Sequence, residues 1–198
     1  MRGSRNNAVE TAEAAGHAEF HIGVAVSVLR SGGIVAHATE GVWGLACDPE
    51  DESAVLQLLE MKRRALSKGL ILIAAVPAMF QRELVAVDAA TAKRVVDSWP
   101  GAETWLLPNR EFPRWITGGS SNVAVRVPDH EQARELSARF GAPLVSTSAN
   151  RSGRAPARDA LTVRRYFGAS VDYVLPGSVG ERITPSRITD AVSGRRLR

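Results

Sequence analysis

The run Thr39-Glu40-Gly41-Val42-Trp43-Gly44-Leu45-Ala46-Cys47-Asp48, followed by Val55-Leu56-Gln57-Leu58-Leu59-Glu60-Met61-Lys62-Arg63-Arg64, decides how the rest of the chain is read. It reads as a glycine-punctuated loop, a short amphipathic helix and a basic cluster where that helix ends. Asp51 or Ser53 can cap the helix, and Val55, Leu58, Leu59 and Lys62 share one face. Lys62 then leaves from the buried side, so its stem lies on the core while its ammonium enters a cleft; Arg63 points elsewhere. The cluster continues to Lys68-Gly69, and Leu70-Ile71-Leu72-Ile73 follows at once, short and apolar like a buried strand. Cations between a helix end and a strand start can hold a phosphate-bearing ligand. The plain alternative is a solvated helix end whose charges complement the helix dipole.

Outward from this stretch, helical and extended patterns alternate. Upstream, Ile22, Val26 and Leu29 fall at helical spacing, Gly32-Gly33 supplies a stop, and Ile34-Val35-Ala36 makes a strand. Residues 1–17 lack apolar periodicity and are expected to form a loosely ordered tail to a domain covering 18–198. Downstream, a helical region covers 77–97 with a break near Val87-Asp88, and Trp99-Pro100-Gly101 is a turn. A strand at 104–107 closed by Pro108, a loop at 113–121 and a strand at 123–127 follow. Alternation in that last strand sets Arg126 opposite Val125 and Val127, facing solvent or a ligand. A helix at 131–140, a strand at 143–145, a loop at 146–156, a helix at 159–167 and strands at 171–175 and near 187–192 complete an α/β alternation in one domain.

With 198 residues, 44% of them hydrophobic and 23% charged, the chain can enclose a substantial core. The net charge of +4 is uneven: residues 1–100 hold 10 basic against 12 acidic side chains, and residues 101–198 hold 15 against 9. A basic second half suits an anionic partner such as a nucleotide or RNA, although on charge alone a solvated basic surface is the better account. Of the 25 basic residues only Lys62, Lys68 and Lys93 are lysine. No apolar run reaches the roughly 20 residues that cross a bilayer, and Met1 to Gly16 lacks the apolar core of a secretory signal. A cytoplasmic protein is expected, and the single cysteine, Cys47, agrees with a reducing compartment.

Neither the phosphate loop G-x-x-x-x-G-K-[ST] nor the dinucleotide fingerprint G-x-G-x-x-G occurs. The nucleophile elbow G-x-S-x-G is missing too, and four scattered histidines with one cysteine offer no metal-ligand spacing. Three constellations remain. Lys62, Arg64 and Lys68 give three positive charges, enough to neutralise a triphosphate or the charge developing on a transferred phosphorus. Ser146-Thr147-Ser148-Ala149-Asn150 sets hydroxyl and amide groups just past a strand end, where ligands of α/β sheets lie; a polar turn is the alternative. Thr39 with Arg126 pairs a hydroxyl with a guanidinium that can hold an amino-acid carboxylate, or is an exposed strand arginine.

In combination these stretches resemble the YrdC/Sua5 family, most closely its short TsaC-type threonylcarbamoyl-AMP synthases. The resemblance covers the chain from about Ile22. It rests on Thr39-Glu40-x-Val42-Trp43-Gly44-Leu45-x-Cys47-Asp48-Pro49, on Leu59-Glu60-x-Lys62-x-Arg64 with Lys68 to Ala74, and on Trp99-Pro100-Gly101. Ala124-Val125-Arg126-Val127 with Asp129-His130, Leu144 to Asn150 with Ser152-Gly153, and Pro185-Ser186-x-Ile188-x-Asp190 continue it in order. The resemblance implies a twisted open α/β sheet with flanking helices around a basic concave cavity. It implies condensation of L-threonine, bicarbonate and ATP to threonylcarbamoyl-adenylate plus pyrophosphate, for the threonylcarbamoyl modification of tRNA adenosine 37. Lys62, Arg64, Lys68, Ser148, Asn150 and Arg198 then contact ATP or its adenylate, with Lys62 and Arg64 catalytic, and Thr39, Arg126 and Ser186 hold threonine. It implies no permanently bound cofactor, magnesium arriving with ATP, no metal site of the protein's own, downstream t6A transferase machinery and contact with tRNA. His37 stands where members usually have tyrosine, and Ala38, Ala65 and Ala102 stand where they have proline.

Two competing readings accompany it. A non-enzymatic RNA-binding module would use the basic second half on structured RNA, with steep salt dependence and no need of ATP. Related carbamoyl-adenylate domains of hydrogenase-maturation proteins sit within longer, cysteine-rich chains, unlike this one.

Overall fold

The computed structural model describes residues 3–182 and 186–197, with side chains from residue 16 onward. Helix α1 (Gly3–Arg30) buries Ile22, Ala25, Val26 and Leu29 and stops at Gly32, whose φ is 78°. It begins at Gly3 instead of near His17, so the expected loose tail is helical from that residue on. Apolar periodicity reports burial; the Ala- and Glu-rich run is helical by propensity, which periodicity does not see.

Strands β1 (Val35–Ala38) and β2 (Trp43–Cys47) pair antiparallel, with Ala38 opposite Trp43. Residues 39–48 read as loop in the sequence, but 43–47 of them form this second strand. Every residue of β2 is buried, so it shows none of the polar-apolar alternation that marks a half-exposed strand. Gly44 is a close-packing position: a Cβ there would lie 3.0 Å from His37 Nε2 and 3.1 Å from Ser146 Oγ.

Asp51 caps α2 (Glu52–Lys62) by accepting from Ala54 N at 3.1 Å, and Val55, Leu58, Leu59 and Lys62 are buried on one side as the spacing predicts. Strand β3 (Ile71–Ile73) follows. Helices α3 (Gln81–Leu84) and α4 (Ala89–Asp97) flank the expected break, with Asp88 capping α4. Strand β4 (Glu103–Pro108) leads to α5 (Arg114–Thr117), which occupies the segment expected as loop; one helical turn is too short to show a period. Then come β5 (Asn122–Arg126), α6 (Glu131–Phe140) and β6 (Leu144–Ser148), which runs three residues past its predicted end. Helix α7 (Ala160–Phe167) and strands β7 (Tyr173–Val174) and β8 (Arg187–Asp190) complete the chain.

Among the described residues the eight strands form one mixed sheet, ordered β7-β1-β2-β6-β3-β5-β4-β8. Alternate residues feed two cores: Val35, Ala46, Ile73 and Leu144 join α1 and α6, while Ala36, Leu45, Leu72 and Val145 join Leu58, Phe80 and Trp105. The sheet is thus sandwiched between two helical layers. Because β7 and β8 are its opposite edges, the connection from Leu175 to Ser186 has to cross it. Gln132 Nε2 holds Pro176 O at 2.6 Å, His130 Nε2 donates to Ser178 O at 3.1 Å, and Gly180 N and Arg182 N donate to the carbonyls of Thr39 and Glu40. His130 Nδ1 accepts from Ala133 N, which leaves the proton on Nε2 for Ser178. No helix among the described residues is long and apolar enough to cross a membrane.

Candidate active site

Helix α2 delivers Lys62 from its buried face, and β6 brings Ser148 and Asn150 to meet it. Lys62 Nζ donates to the carbonyl of Ser148 and, at 2.9 Å, to that of Asn150, while the Lys62 carbonyl accepts from Ser152 N at 2.9 Å. Lys62 is only 4% exposed and has no carboxylate partner among the described residues. Burial, helped by the neighbouring Arg64, lowers its pKa from 10.5 to about 8. Ser148 Oγ donates to Asn150 Oδ1 at 2.6 Å, and Asn150 Nδ2 donates to Arg151 O at 3.3 Å and Arg154 O at 2.7 Å. The first two constellations of the sequence are therefore one locus.

Arg63 turns out of the helix in the left-handed region, with φ 52°, and is exposed as expected. Arg64 turns back, its Nη2 donating to Gly69 O at 2.9 Å and Lys68 O at 3.3 Å. Lys68 itself is exposed on a single 3-10 turn. Arg64 is thus braced by the loop that carries Lys68, without an acid in either bond.

The third constellation forms across the turn 39–42. Thr39 Oγ1 donates to Val42 O at 2.7 Å. Arg126, at the end of β5, is largely shielded from bulk solvent: its Nε donates to Gly101 O at 2.8 Å and its Nη2 is ion-paired with Glu40 Oε1. Glu40 also accepts from Asp129 N at 2.7 Å. Ser186 Oγ accepts from Thr104 Oγ1 at 3.0 Å, and Thr104 lies one residue beyond the Trp105–Val125 pair, beside Arg126. Arg198 lies outside the described residues. The two ends of the site meet at the turn, since Trp43 O accepts from Ala149 N at 2.7 Å and Trp43 N donates to Ala157 O at 2.8 Å.

Sequence reasoning assigned Glu40 no role, because nothing in an isolated acid between Thr39 and Gly41 reveals its burial or partner. It also missed a cavity of about 280 Å³ lined by Arg151, Arg154, Arg165 and Tyr166, directly beside Asn150. Basic residues spread over a loop and α7 give no local signal. His37 is fully buried; its Nδ1 donates to Ala38 O at 3.0 Å and its Nε2 accepts from Ser146 Oγ at 3.2 Å. Desolvation lowers its pKa from 6.5 to about 4, so the ring stays neutral and acts as a strut between β1 and β6.

The model of the Sua5/YciO/YrdC family, described as "Telomere recombination", matches residues 27–198. The chain belongs to this family. It is 47% identical over 180 residues to the threonylcarbamoyl-AMP synthase of Nitrosococcus oceani, covering 90% of this chain and 97% of that one. Its fold superposes on a solved variant of P. abyssi Sua5 with a TM-score of 0.82 at 34% identity, over 89% of this chain and 55% of that one. The P. abyssi Sua5 structure complexed with L-threonine matches with a TM-score of 0.78 at 34% identity, covering 85% and 50%. This chain thus spans about half of the solved Sua5 chains and nearly all of the Nitrosococcus relative.

Proposed function

We infer that the chain is an L-threonylcarbamoyladenylate synthase, condensing L-threonine, bicarbonate and ATP with release of pyrophosphate. The observation that carries the reading is the buried Lys62 ammonium, held by the Ser148 and Asn150 carbonyls with no carboxylate among the described residues to neutralise it, in a chain nearly half identical to enzymes of that name. A threonine carbamate oxygen attacks the α-phosphorus, the bond to the bridging oxygen breaks, and pyrophosphate takes the electron pair. Both reactants are anionic, so preorganised cations stabilise the leaving charge.

In this assignment Lys62 and Arg64 act at the phosphates, Lys68 closes that end, and Ser148 and Asn150 hold the nucleotide. Arg198, placed there by resemblance, completes it. Thr39, Arg126 and Ser186 receive threonine, with Arg126 facing the carboxylate. Magnesium enters with ATP. The functional domain covers 18–198, working in the cytoplasm and passing its product to t6A transferase machinery.

Pyrophosphate release tests this with ATP and L-threonine, bicarbonate supplied or removed, and Lys62→Ala alongside. Release that needs all three substrates and collapses in the variant supports the synthase. Release indifferent to threonine and bicarbonate sinks it. The RNA-binding reading draws on the Arg151, Arg154, Arg165 and Tyr166 cavity, where guanidinium groups sit beside an aromatic ring. As a tRNA contact it accompanies the enzyme; as the whole function it predicts salt-dependent binding indifferent to ATP.

A further inference from the structure

Glu40 is an acid drawn into the threonine end of the site, paired with Arg126. Its side chain is 11% exposed and that of Arg126 is 12% exposed, so the pair is largely shielded from water. One carboxylate oxygen takes both the Arg126 guanidinium and the Asp129 amide, the latter at 2.7 Å. The Glu40 carbonyl accepts from Arg182 N at 3.0 Å, and the preceding Thr39 carbonyl accepts from Gly180 N at 3.1 Å. Packing here is tight: a Cβ on Gly41 would lie 2.5 Å from Arg182 O. A single residue thus ties together the turn after β1, the end of β5, the approach to α6 and the crossing segment that leads to Ser186.

We propose that Glu40 is a positioning residue for threonine recognition, one that aims the Arg126 guanidinium and fixes the walls around it. An unrestrained arginine has many rotamers, and ordering it on binding would reduce affinity. Here Gly101 O and Glu40 Oε1 hold two nitrogens of the fork, Nε and Nη2, so its plane is set before the amino acid arrives. The carboxylate also offsets part of the guanidinium charge. Recognition of the substrate carboxylate then depends on geometry more than on net charge, a discrimination against anions that do not match the fork. The inference rests on the assignment of Arg126 to the threonine carboxylate.

The test is pyrophosphate release with threonine and ATP varied separately, in Glu40→Ala, Glu40→Gln, Arg126→Lys and the combined Glu40→Gln, Arg126→Lys chain, with thermal melting of each. In Glu40→Ala the KM for threonine is expected to rise about tenfold or more, with the KM for ATP within about twofold. Glu40→Gln keeps an acceptor for Asp129 N and recovers part of the loss. In the combined chain the Glu40→Gln effect shrinks towards nothing, because the group it positions has changed. If Glu40→Ala does not fold, Glu40→Gln and the combined chain carry the same comparison. A threonine KM that stays unchanged, a parallel rise in both KM values, or a Glu40 effect undiminished beside Arg126→Lys overturns the proposal. If Arg126→Lys itself leaves the threonine KM unchanged, the assignment of Arg126 is what fails.

Discussion

Lys62 and Arg126 are both cations taken out of water, yet they are held in opposite ways. Lys62 is clasped by two neutral carbonyls and keeps its charge uncompensated, at the cost of a lowered pKa. Arg126 is clasped by a carboxylate and a carbonyl, so its charge is partly offset while its direction is fixed. On the proposed assignment of the site, the difference separates two tasks. An end that must stabilise a triphosphate and its leaving charge needs free positive charge, whereas an end that must recognise one small carboxylate needs orientation. Carbonyls serve the first need and a carboxylate serves the second.

Four measurements can break or sharpen this contrast. The largest effect is expected from Arg126→Leu, which strands Glu40 as a buried unpaired charge. Denaturant melts should show a loss of about 3–5 kcal/mol, much of it recovered when Glu40→Leu is added. If the single variant is as stable as the parent, the pair is not acting as a neutralised unit. Next, Lys62→Met removes charge while keeping bulk and should lower kcat/KM for ATP by about 10²–10³-fold, measured by pyrophosphate release. An equal loss in the threonine KM alone would mean that the two ends are not distinct.

Third is the pH profile. Between about 8 and 10.5 the unfolded chain keeps the Lys62 proton that the folded chain has released, so the contribution of Lys62 to stability rises with pH across that window. Activity carried by the ammonium runs the other way, with kcat/KM for ATP falling about tenfold per pH unit above about 8. Opposite slopes in melting and rate, both abolished by Lys62→Met, are the expected signature; parallel slopes would refute it. The smallest effect is Ser148→Ala, which removes the 2.6 Å bond to Asn150 Oδ1. A cost of about 1 kcal/mol, or about fivefold in the KM for ATP with threonine unaffected, would tie Asn150 orientation to the phosphate end.

What the sequence disclosed follows the same divide. The Lys62 locus was legible because it is local: a capped amphipathic helix, a cation on its buried face and a strand straight after. Helices α4, α6 and α7 were legible for the same reason, each carrying a cap and a clear face. Strand β2 was hidden because burial on both sides erases alternation, and Gly44 reads as a loop until His37 and Ser146 are seen against it. The Glu40 pair joins residues far apart in the chain through sheet order, which no local pattern encodes. The cavity of Arg151, Arg154, Arg165 and Tyr166 was hidden likewise.

The segment from Leu175 to Ser186 joins the two outermost strands of the sheet. Fully extended, such a run reaches at most about 40 Å. Eight strands laid flat would separate first from last by about 34 Å. A flat sheet would leave little slack, and the run spends some of its reach in meeting His130, Gln132, Thr39 and Glu40. On that arithmetic the length of this run bounds how flat the sheet can lie. Residues inserted between Pro176 and Arg182 would let the edges spread, and residues deleted there would draw them inward, so a length change far from any charged group would reach the spacing between the two ends of the site.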